Sequence, residues 1–505
     1  MLGSPIGYID IFLNRITMYR LMLYYLIFLA ILASIFGLFT YLPYSLKDLL
    51  FSFLIVSGVG VLANYLFARI FNAQINIESV FITSLILVLI MPVSFPNNSL
   101  FLALASFIAM ASKYLVAFDK RHIFNPAAIS AVVMSFVFGY SASWWIGSLL
   151  MSPFIILGGL LVLRKTQKEQ MVTVFITAFL FIVGVFSFFS SYSVQTVLLT
   201  WQTSIFESSL LFFMFVMLIE PLTSPTTKNP QIYFALIISS IYAAAQTGII
   251  NLVISPELIL VIGNAFAFFC YPNYRLILNL KNKLKLSKDI YSFIFEKQNN
   301  LNFSPGQYME WTLPHKKADS RGNRRFFTLS SSPTEKEIAI TVKFSNPSST
   351  FKKELLNFDS KKRIIASSVS GDFVLPQNLQ LPLVFIAGGV GITPFRSMIK
   401  YIVDKNLNVD IVLIYLNKNQ KEILFLDLFK KAKENGVKTI HFLTSKKGHL
   451  NKEEIKKLVP DFKKRIFYIS GPQLMVRNFE KMLRAIGISK SKIKTDFFPG
   501  YTEDK

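Results

Sequence analysis

The sequence predicts a multi-domain chain: a polytopic α-helical membrane domain of about ten spans with an inverted repeat, then a strand-rich half that ends in an open α/β sheet. Three observations carry this. Hydrophobic residues make up 52% of the 505, with 50 Phe and 16% charged, which is too apolar for a chain wholly in water. The long apolar runs lie before residue 275, and most of the lysines after it. Finally, Phe385-Ile-Ala-Gly-Gly-Val-Gly-Ile-Thr-Pro-Phe-Arg-Ser-Met398 reads as a buried strand, a glycine turn and a helix start.

Charge and cysteine content exclude several function classes. The net charge of +24 comes from the lysine-rich second half and from the ends of apolar runs, the pattern of a positive cytoplasmic side, so no nucleic-acid partner is expected. One cysteine, Cys270, cannot ligate an iron–sulfur cluster or close an internal disulfide. No metal site is expected, and redox chemistry falls to an organic cofactor or a partner. Arg15 and Arg20 precede a run from Leu21 to Leu42 that is too long for a signal peptide and has no cleavage site. It reads as the first membrane helix, amino end inside.

Residues 1–274 form the expected membrane domain, with apolar runs near 18–42, 48–71, 77–94, 99–118, 127–141, 144–163, 171–190, 197–219, 231–247 and 257–271. Basic residues mark one set of ends (Arg69, Lys113, Lys120-Arg121, Arg164-Lys165 and Lys168), and an even count returns the chain to the cytoplasm at Arg275. Leu89-Ile-Met-Pro-Val-Ser-Phe-Pro96 matches Leu218-Ile-Glu-Pro-Leu-Thr-Ser-Pro225 at four identical positions and two like ones, Val93/Leu222 and Ser94/Thr223. The copies close the third and eighth runs and are predicted to lie in opposite orientations. Proline-broken helices in inverted repeats line cavities for a ligand or ion. Glu207, Glu220 and Glu257 are the acids in reach of ion coupling.

Between the copies, Asn125 of Asp119-Lys-Arg-His-Ile-Phe-Asn-Pro-Ala-Ala128 is placed to cap a helix that starts at Pro126. This motif, the proline loops and the span pattern resemble the flavin-bearing membrane subunit of Rnf electron-transport complexes and Na⁺-translocating NADH:quinone reductases, over about residues 18–271. That family carries FMN through its phosphate on the last Thr of a loop Asp-x-x-Ser/Thr-Gly/Ser-Ala-Thr. Glu220-Pro-Leu-Thr-Ser-Pro-Thr226 keeps the spacing, with Glu for Asp and Pro225 for Ala, so the resemblance implies covalent FMN on Thr226 and a flavin transferase as partner. The span count puts Thr226 inside, whereas the family modifies the outer face; a re-entrant half-helix at Pro92 or Pro221 would reconcile the two.

The second half opens with two strands between Lys285 and Glu310, before Pro305-Gly-Gln-Tyr308. A planar cofactor needs an aromatic wall, a hydroxyl near its reactive nitrogen and an arginine for its phosphates; Arg325-Phe-Phe-Thr-Leu-Ser-Ser-Ser-Pro333 offers Arg325, Phe327 and Thr328 in that motif, with Ser331 beyond. Ser349 and Thr350 precede a helix as a second phosphate-facing cap, and Gly371-Asp-Phe-Val-Leu-Pro376 closes the subdomain. Gly388, Gly389 and Gly391 leave room for a pyrophosphate, with Thr393 as cap and Pro394 first in the helix. Val412–Lys418 and Phe467–Pro472, with Met475, are strands ending on one edge, where ligands of parallel sheets lie. The chain closes on Thr495-Asp-Phe-Phe-Pro-Gly-Tyr501.

As an ordered set over about residues 280–501, these pieces resemble the ferredoxin–NADP⁺ reductase superfamily. The resemblance implies an FAD-binding antiparallel β-barrel at 275–378 and a nicotinamide-binding α/β domain at 379–505. Arg325 would pair with the FAD pyrophosphate, Phe327 stack on the isoalloxazine and Thr328 bond near N5, while Ser349 or Thr350 caps the pyrophosphate. Gly388 to Pro394 would receive NAD(P)H, with Gly471, Pro472, Met475 and Phe498 beside it and Thr328, Ser470 and Asp496 as the catalytic set. Ser470 stands where the family has Cys, and Phe327 and Thr328 replace Tyr and Ser. Asn417-Lys418-Asn419 offers a single Lys418 for a 2′-phosphate, which favours NADH.

These resemblances imply a multi-pass protein of the cell (inner) membrane whose cytoplasmic half takes electrons from NAD(P)H through FAD to FMN. A quinone or partner subunit is the expected acceptor, with coupling to ion transport as a further expectation. A haem-bearing transmembrane ferric reductase or NADPH oxidase is one alternative, but of four His only His122 lies in the membrane half, and haem stacks need pairs. The other alternative is a solute or ion transporter regulated by a redox flavin module.

Overall fold

The computed structural model describes residues 5–73, 75–118, 121–190, 193–249, 254–271, 275–298, 301–315, 318–344, 348–359 and 362–498. Asp119 and Lys120 of the loop motif and residues 499–501 of the closing stretch lie outside them. The chain divides into two compact units, Met1–Pro272 and Asn273–Lys505.

The first unit is helical: α1 (Pro5–Arg15), α2 (Met18–Leu38), α3 (Leu46–Ile70), α4 (Ile77–Ile90), α5 (Ser99–Leu115), a two-residue hairpin of β1 (Ala117–Phe118) and β2 (Arg121–His122), α6 (Pro126–Phe138), α7 (Ser152–Thr166), α8 (Glu169–Phe189), α9 (Val194–Phe206), α10 (Leu210–Phe212) running into a π-helical turn Phe213–Met217, α11 (Lys228–Thr247) and α12 (Pro256–Cys270). Side chains take over the unpaired first-turn amides. Thr17 accepts from Arg20 N, Ser45 and Asp48 form a reciprocal capping box, and Asn125 accepts from Ala127 N and Ala128 N ahead of Pro126, as the sequence predicts.

The expectation of about ten spans is corrected. Among the described residues three helices, α2, α3 and α8, are long and apolar enough to cross a membrane, or four if Val194–Phe206 and Leu210–Met217, bent by 54°, count as one. The apolar helices α4, α5, α6 and α12 are shorter. Prolines and polar turns cut the runs: the run at 77–94 is helical only to Ile90, ahead of Pro92, and the run at 197–219 breaks between Phe206 and Leu210.

The repeated octapeptide closes equivalent elements, α4 and the π turn. Thr83 to Met91 and Leu210 to Ile219 are buried throughout. Packing partners also recur in order. In the first copy α2 lies on α4, α3 on α5 and α5 on α6; in the second α7 lies on the π turn, α8 on α11 and α11 on α12.

The second unit holds two sheets. Strands β3 (Arg275–Lys285), β4 (Ile290–Glu296), β5 (Tyr308–Thr312), β6 (Arg324–Thr328), β7 (Glu337–Lys343) and β8 (Arg363–Ser370) form an antiparallel sheet in the order β6-β5-β8-β3-β4-β7. Leu329 bridges Ile340, joining its two end strands into a closed barrel. In β7 the alternation of Glu-Ile-Ala-Ile-Thr-Val-Lys turns Ile338, Ile340 and Val342 into a core with Phe293, Phe295 and Trp311. Helix α13 (Thr350–Leu356) adds Phe351 and Leu355 to that core.

The other sheet is parallel, β11-β10-β9-β12-β13, from β9 (Leu383–Gly388), β10 (Ile411–Asn417), β11 (Val437–Leu443), β12 (Ile466–Pro472) and β13 (Ile493–Phe498). Its helices are α14 (Thr393–Asp404), α15 (Leu426–Lys431), α16 (Thr444–Lys447), α17 (Lys452–Leu458) and α18 (Gln473–Ala485). Strands β9 and β10 are buried along their whole length, as continuous apolar strands must be when helices cover both faces. α14 packs into one core cluster and α18 into the other. Strand order reverses between β9 and β12, which places a crevice at their carboxyl ends.

Candidate functional site

The crevice gathers the glycine turn and the 470–475 segment. β9 ends at Gly388, and a 3₁₀ turn spans Gly389–Ile392. Thr393 is the first residue of α14 with Pro394 second, a correction to the cap predicted at Thr393. The turn already winds into the helix, and the Thr393 hydroxyl donates to Val390 O at 3.1 Å. A Cβ on Gly391 would stand 2.3 Å from Ser470 O, and one on Gly388 2.3 Å from Met475 Sδ, so the two loops touch only because these residues are glycine. Gly389 has φ +53 with open space beside it, and Gly471 has φ +154 ahead of Pro472. Lys418 is exposed just past β10, two residues beyond Leu416, the β10 partner of Gly388.

Ser470 and Asp496 are register partners on β12 and β13. Among the described residues neither Ser470 Oγ nor Asp496 Oδ2 makes a hydrogen bond of good geometry, although both atoms are buried and the Ser470 hydroxyl is close enough to favour the charged acid. Such orphaned atoms at the crevice suit a ligand with its own donors and acceptors, such as a carboxamide. Burial pushes Asp496 up to about 7, and the nearby Ser470 hydroxyl offsets this only in part. Burial, then Asp496 and Asp372, push Tyr308 up to about 12, which puts Tyr308 of β5 within electrostatic reach of the crevice. Phe498 pairs with Pro472 at the end of β13; its side chain lies outside the described residues.

The raised Asp496 has a stability consequence. Its folded pKa lies above the ordinary carboxylate value near 4, so between about pH 4 and 7 the folded chain holds a proton that the unfolded chain has lost. This contribution is full at low pH and disappears as pH rises through 7. The melting temperature of the full chain should therefore fall between pH 5 and 8, and Asp496→Asn should flatten that fall. An identical slope in the variant would refute the assignment.

The barrel end is built around Arg325 on β6. Its guanidinium donates to Asp319 Oδ1 and Oδ2 at 2.9 and 3.2 Å and to the carbonyls of Arg321, Gly322 and Arg324 at 2.8, 3.0 and 2.7 Å. It also lies 5.4 Å from the Phe351 ring centroid. Asp319 Oδ2 accepts from Thr350 N at 3.2 Å, and Thr350 Oγ1 accepts from Asp319 N and meets His315 Nε2, both at 3.0 Å. Ser349 caps α13 by accepting from Lys352 N at 3.3 Å.

Burial depresses Lys352 to about 8, with repulsion from Arg321, Arg325 and Lys343 adding to it. Lys352 thus lies among three other cations; Asp319, which burial raises but Arg325 holds below its usual value, faces the two arginines, and Lys343 also pairs with Asp289 at 3.6 Å. An excess of positive charge this close fits a diphosphate.

The other barrel residues divide. Phe327 packs against Phe351 at 5.8 Å, while Phe326 is 56% exposed and sits edge-on to Tyr308 at 5.6 Å. Thr328 is buried opposite Tyr308. Ser331 is committed to the fold: its Oγ accepts from Ala339 N at 2.9 Å. The sequence reading missed Asp319, Lys352, Tyr308 and Phe326. An acid six residues before the motif arginine and a lysine in the first turn of α13 were the available signals.

In the first unit the structure joins the two motifs singled out in the sequence. Glu220 Oε1 meets His122 Nε2 at 3.3 Å, and Oε2 accepts from Asn125 Nδ2 at 2.9 Å and Thr223 Oγ1 at 3.0 Å. Asn264 of α12 accepts from Asn125 N at 2.9 Å and donates to Thr223 O at 3.1 Å. Lys168 reaches Ser224 Oγ. Thr226 is half-buried two residues beyond this braced loop.

Comparison with known proteins bears on the second unit. Residues 385–481 match the family described as Oxidoreductase NAD-binding domain. The chain is similar to Flavohemoprotein A of Dictyostelium discoideum, 27% identical over 233 residues, covering 43% of this chain and 58% of that protein. It is also similar to the glycine betaine monooxygenase reductase subunit of Pseudomonas aeruginosa, 27% identical over 211 residues, covering 39% and 56%. The chain thus spans just over half the length of these relatives. Among solved structures it overlaps the flavohem-like FAD/NAD-binding domain of nitric oxide dioxygenase from Vibrio cholerae, at 21% identity and TM-score 0.39, covering 44% of this chain and 98% of that one. Residues 385–481 are therefore similar to the NAD-binding domains of oxidoreductases.

Proposed function

We propose that the chain is a membrane-bound NAD(P)H-dependent flavoprotein oxidoreductase. Electrons enter from NAD(P)H through FAD in the second unit, pass to FMN on Thr226 in the first, and leave to a quinone or partner subunit. The observation that carries this reading is the pairing, in one unit, of a cluster of cations around Lys352 (Arg321, Arg325 and Lys343) with a glycine crevice where strand order reverses. The first suits an FAD diphosphate, the second a dinucleotide. FAD, when bound, supplies a two-electron acceptor for hydride that gives electrons up singly. Arg325, Lys352 and Thr350 N would hold its phosphates, and Phe327, Phe326 and Tyr308 supply aromatic faces. Gly388, Gly389 and Gly391 let NAD(P)H approach the backbone, and Asp496 holds a proton near neutral pH beside Ser470.

The membrane reading is supported by the outer surface of the helices. Tyr24, Phe28, Ile31, Ile35 and Leu38 of α2, and Phe181, Phe188 and Phe189 of α8, are exposed, an apolar surface suited to a lipid bilayer. This surface, together with the basic ends of the apolar runs, supports the reading of a multi-pass inner-membrane protein with a cytoplasmic reductase half.

One preparation tests the scheme. Full-length protein purified in detergent should reduce ferricyanide with NADH, faster than with NADPH since Asn417-Lys418-Asn419 at the end of β10 offers one lysine and no arginine. After acid denaturation, flavin fluorescence should run with the protein band and vanish in Thr226→Ala. Protein that holds FAD but is not reduced by NADH would refute the entry step. A dark band, from cells that flavinylate another protein, would remove FMN from the scheme and leave the reductase.

A further inference from the structure

The first turns of α14, which begins in the glycine turn, are tied to the segment that follows the flavin strand β6. Arg396 Nη1 donates to Ser330 O at 3.0 Å and also meets Glu335 Oε2, while Nη2 donates to Glu335 Oε1 at 2.9 Å. One residue on, Ser397 Oγ donates to Ser331 O at 2.6 Å, and near the far end of the helix Asp404 Oδ2 accepts from Thr334 Oγ1 at 2.6 Å.

Glu335 is fixed from behind, since Oε2 also accepts from Ser332 N at 2.6 Å. The Arg396 guanidinium sits 5.7 Å from the Phe425 ring centroid, and Phe425 is held at φ 60, a left-handed conformation uncommon outside glycine. The Arg396 and Glu335 side chains are 18% and 23% exposed, so the pair is largely shielded from water. A forked guanidinium that meets both oxygens of a carboxylate and a backbone carbonyl has one orientation. Apolar contact between the barrel and the sheet is non-directional and cannot fix their register in this way.

We propose that Arg396 and Glu335 are a positioning pair for hydride transfer, locking the nucleotide-binding end of α14 at one distance from the flavin strand. This rests on the reductase function proposed above. Neither side chain touches a ligand in this scheme; they act through the 330–335 segment and the glycine turn. A misplacement of about 1 Å at a reacting centre is worth roughly 100-fold in rate, so a clamp of this kind is legible in kinetics.

The test uses full-length, FAD-loaded protein in detergent, mixed rapidly with NADH under anaerobic conditions. The limiting rate of flavin bleaching, the half-saturating NADH concentration, the FAD content and the melting temperature are read for wild type, Arg396→Ala, Arg396→Lys and Glu335→Gln. Expected is a fall in the limiting rate of about 100-fold in Arg396→Ala and tenfold or more in the near-isosteric Glu335→Gln, with half-saturation within about threefold of wild type. Arg396→Lys, which keeps the charge and loses the fork, should recover only part of the rate. NADH deuterated at the transferred position should give a larger isotope effect in the variants than in wild type. A limiting rate per bound FAD that stays at the wild-type value in all three variants, whatever happens to melting temperature, overturns the proposal and leaves a structural joint. Wild-type protein that holds FAD and is not bleached by NADH refutes the underlying function and the clamp with it, and the wild type alone reveals that case.

Discussion

Replacing Arg325 by alanine is expected to weaken FAD binding by roughly 100-fold, about 2.8 kcal/mol at 1.4 kcal/mol per decade. A charge-assisted hydrogen bond to a phosphate is worth about 1.5–3 kcal/mol, and Arg325 is central in the cation cluster. The alanine variant also strips Asp319 of its ion pair and leaves three backbone carbonyls without that donor, so part of the loss will be structural. Arg325→Lys, which keeps a charge without the fork, separates the two and should lose about tenfold. Asp319→Asn should move the other way, because its carboxylate now occupies the guanidinium and the Thr350 amide that a phosphate would use. Titration of FAD into apoprotein reads all three. An Arg325→Ala protein as yellow as wild type would place the flavin phosphates elsewhere.

The second large effect belongs to Gly391. A methyl there would stand 2.3 Å from Ser470 O, 2.6 Å from Ser470 C and 2.7 Å from Gly471 Cα, all backbone atoms that cannot swing aside. Gly391→Ala must push the glycine turn and the end of β12 apart, widening the crevice. Overpacking of this kind costs about 1–3 kcal/mol in stability, but the larger loss should be in kcat/KM for NADH, at least 100-fold. FAD content should remain normal, since Arg325 and its neighbours lie at the other end of the barrel strand. Gly389→Ala is the contrasting control: nothing lies within 4 Å of its Cβ, and only its φ of +53 opposes the change, so it should lose far less. Equal losses in the two variants would show that space at Gly391 does not govern the reaction.

The parallel sheet and its crevice were legible because β9 and β12, on either side of the crevice, end in residues with a backbone role. Gly388, Gly391 and Gly471 announce close approach, and the apolar runs of β9 and β10 admit no exposed face. The octapeptide repeat was legible for a similar reason, since Pro92 and Pro221 can end a helix in only a few ways. The length of the apolar helices was not. Hydropathy counts apolar residues without regard to whether a turn interrupts them, and α4, buried from Thr83 to Ile90, is strongly apolar at only 14 residues. Nor was Asp319 legible as a site residue, because its contacts with Arg325 and Thr350 depend on how the loop from β5 to β6 folds back over α13.

The carboxylate of Glu220 has one consequence for how the first unit is made. Glu220 lies in the second octapeptide, while His122 and Asn125 lie between the two octapeptides, and Asn264 closes the ring from α12. During synthesis the loop that carries Thr226 emerges with His122, Asn125 and Lys168 already made and Asn264 still to come. Until α12 arrives, Asn125 N and Thr223 O wait for their partner. The loop therefore takes its final shape only when both copies are home, and an enzyme that recognised that shape would act on finished chains and pass over truncated ones.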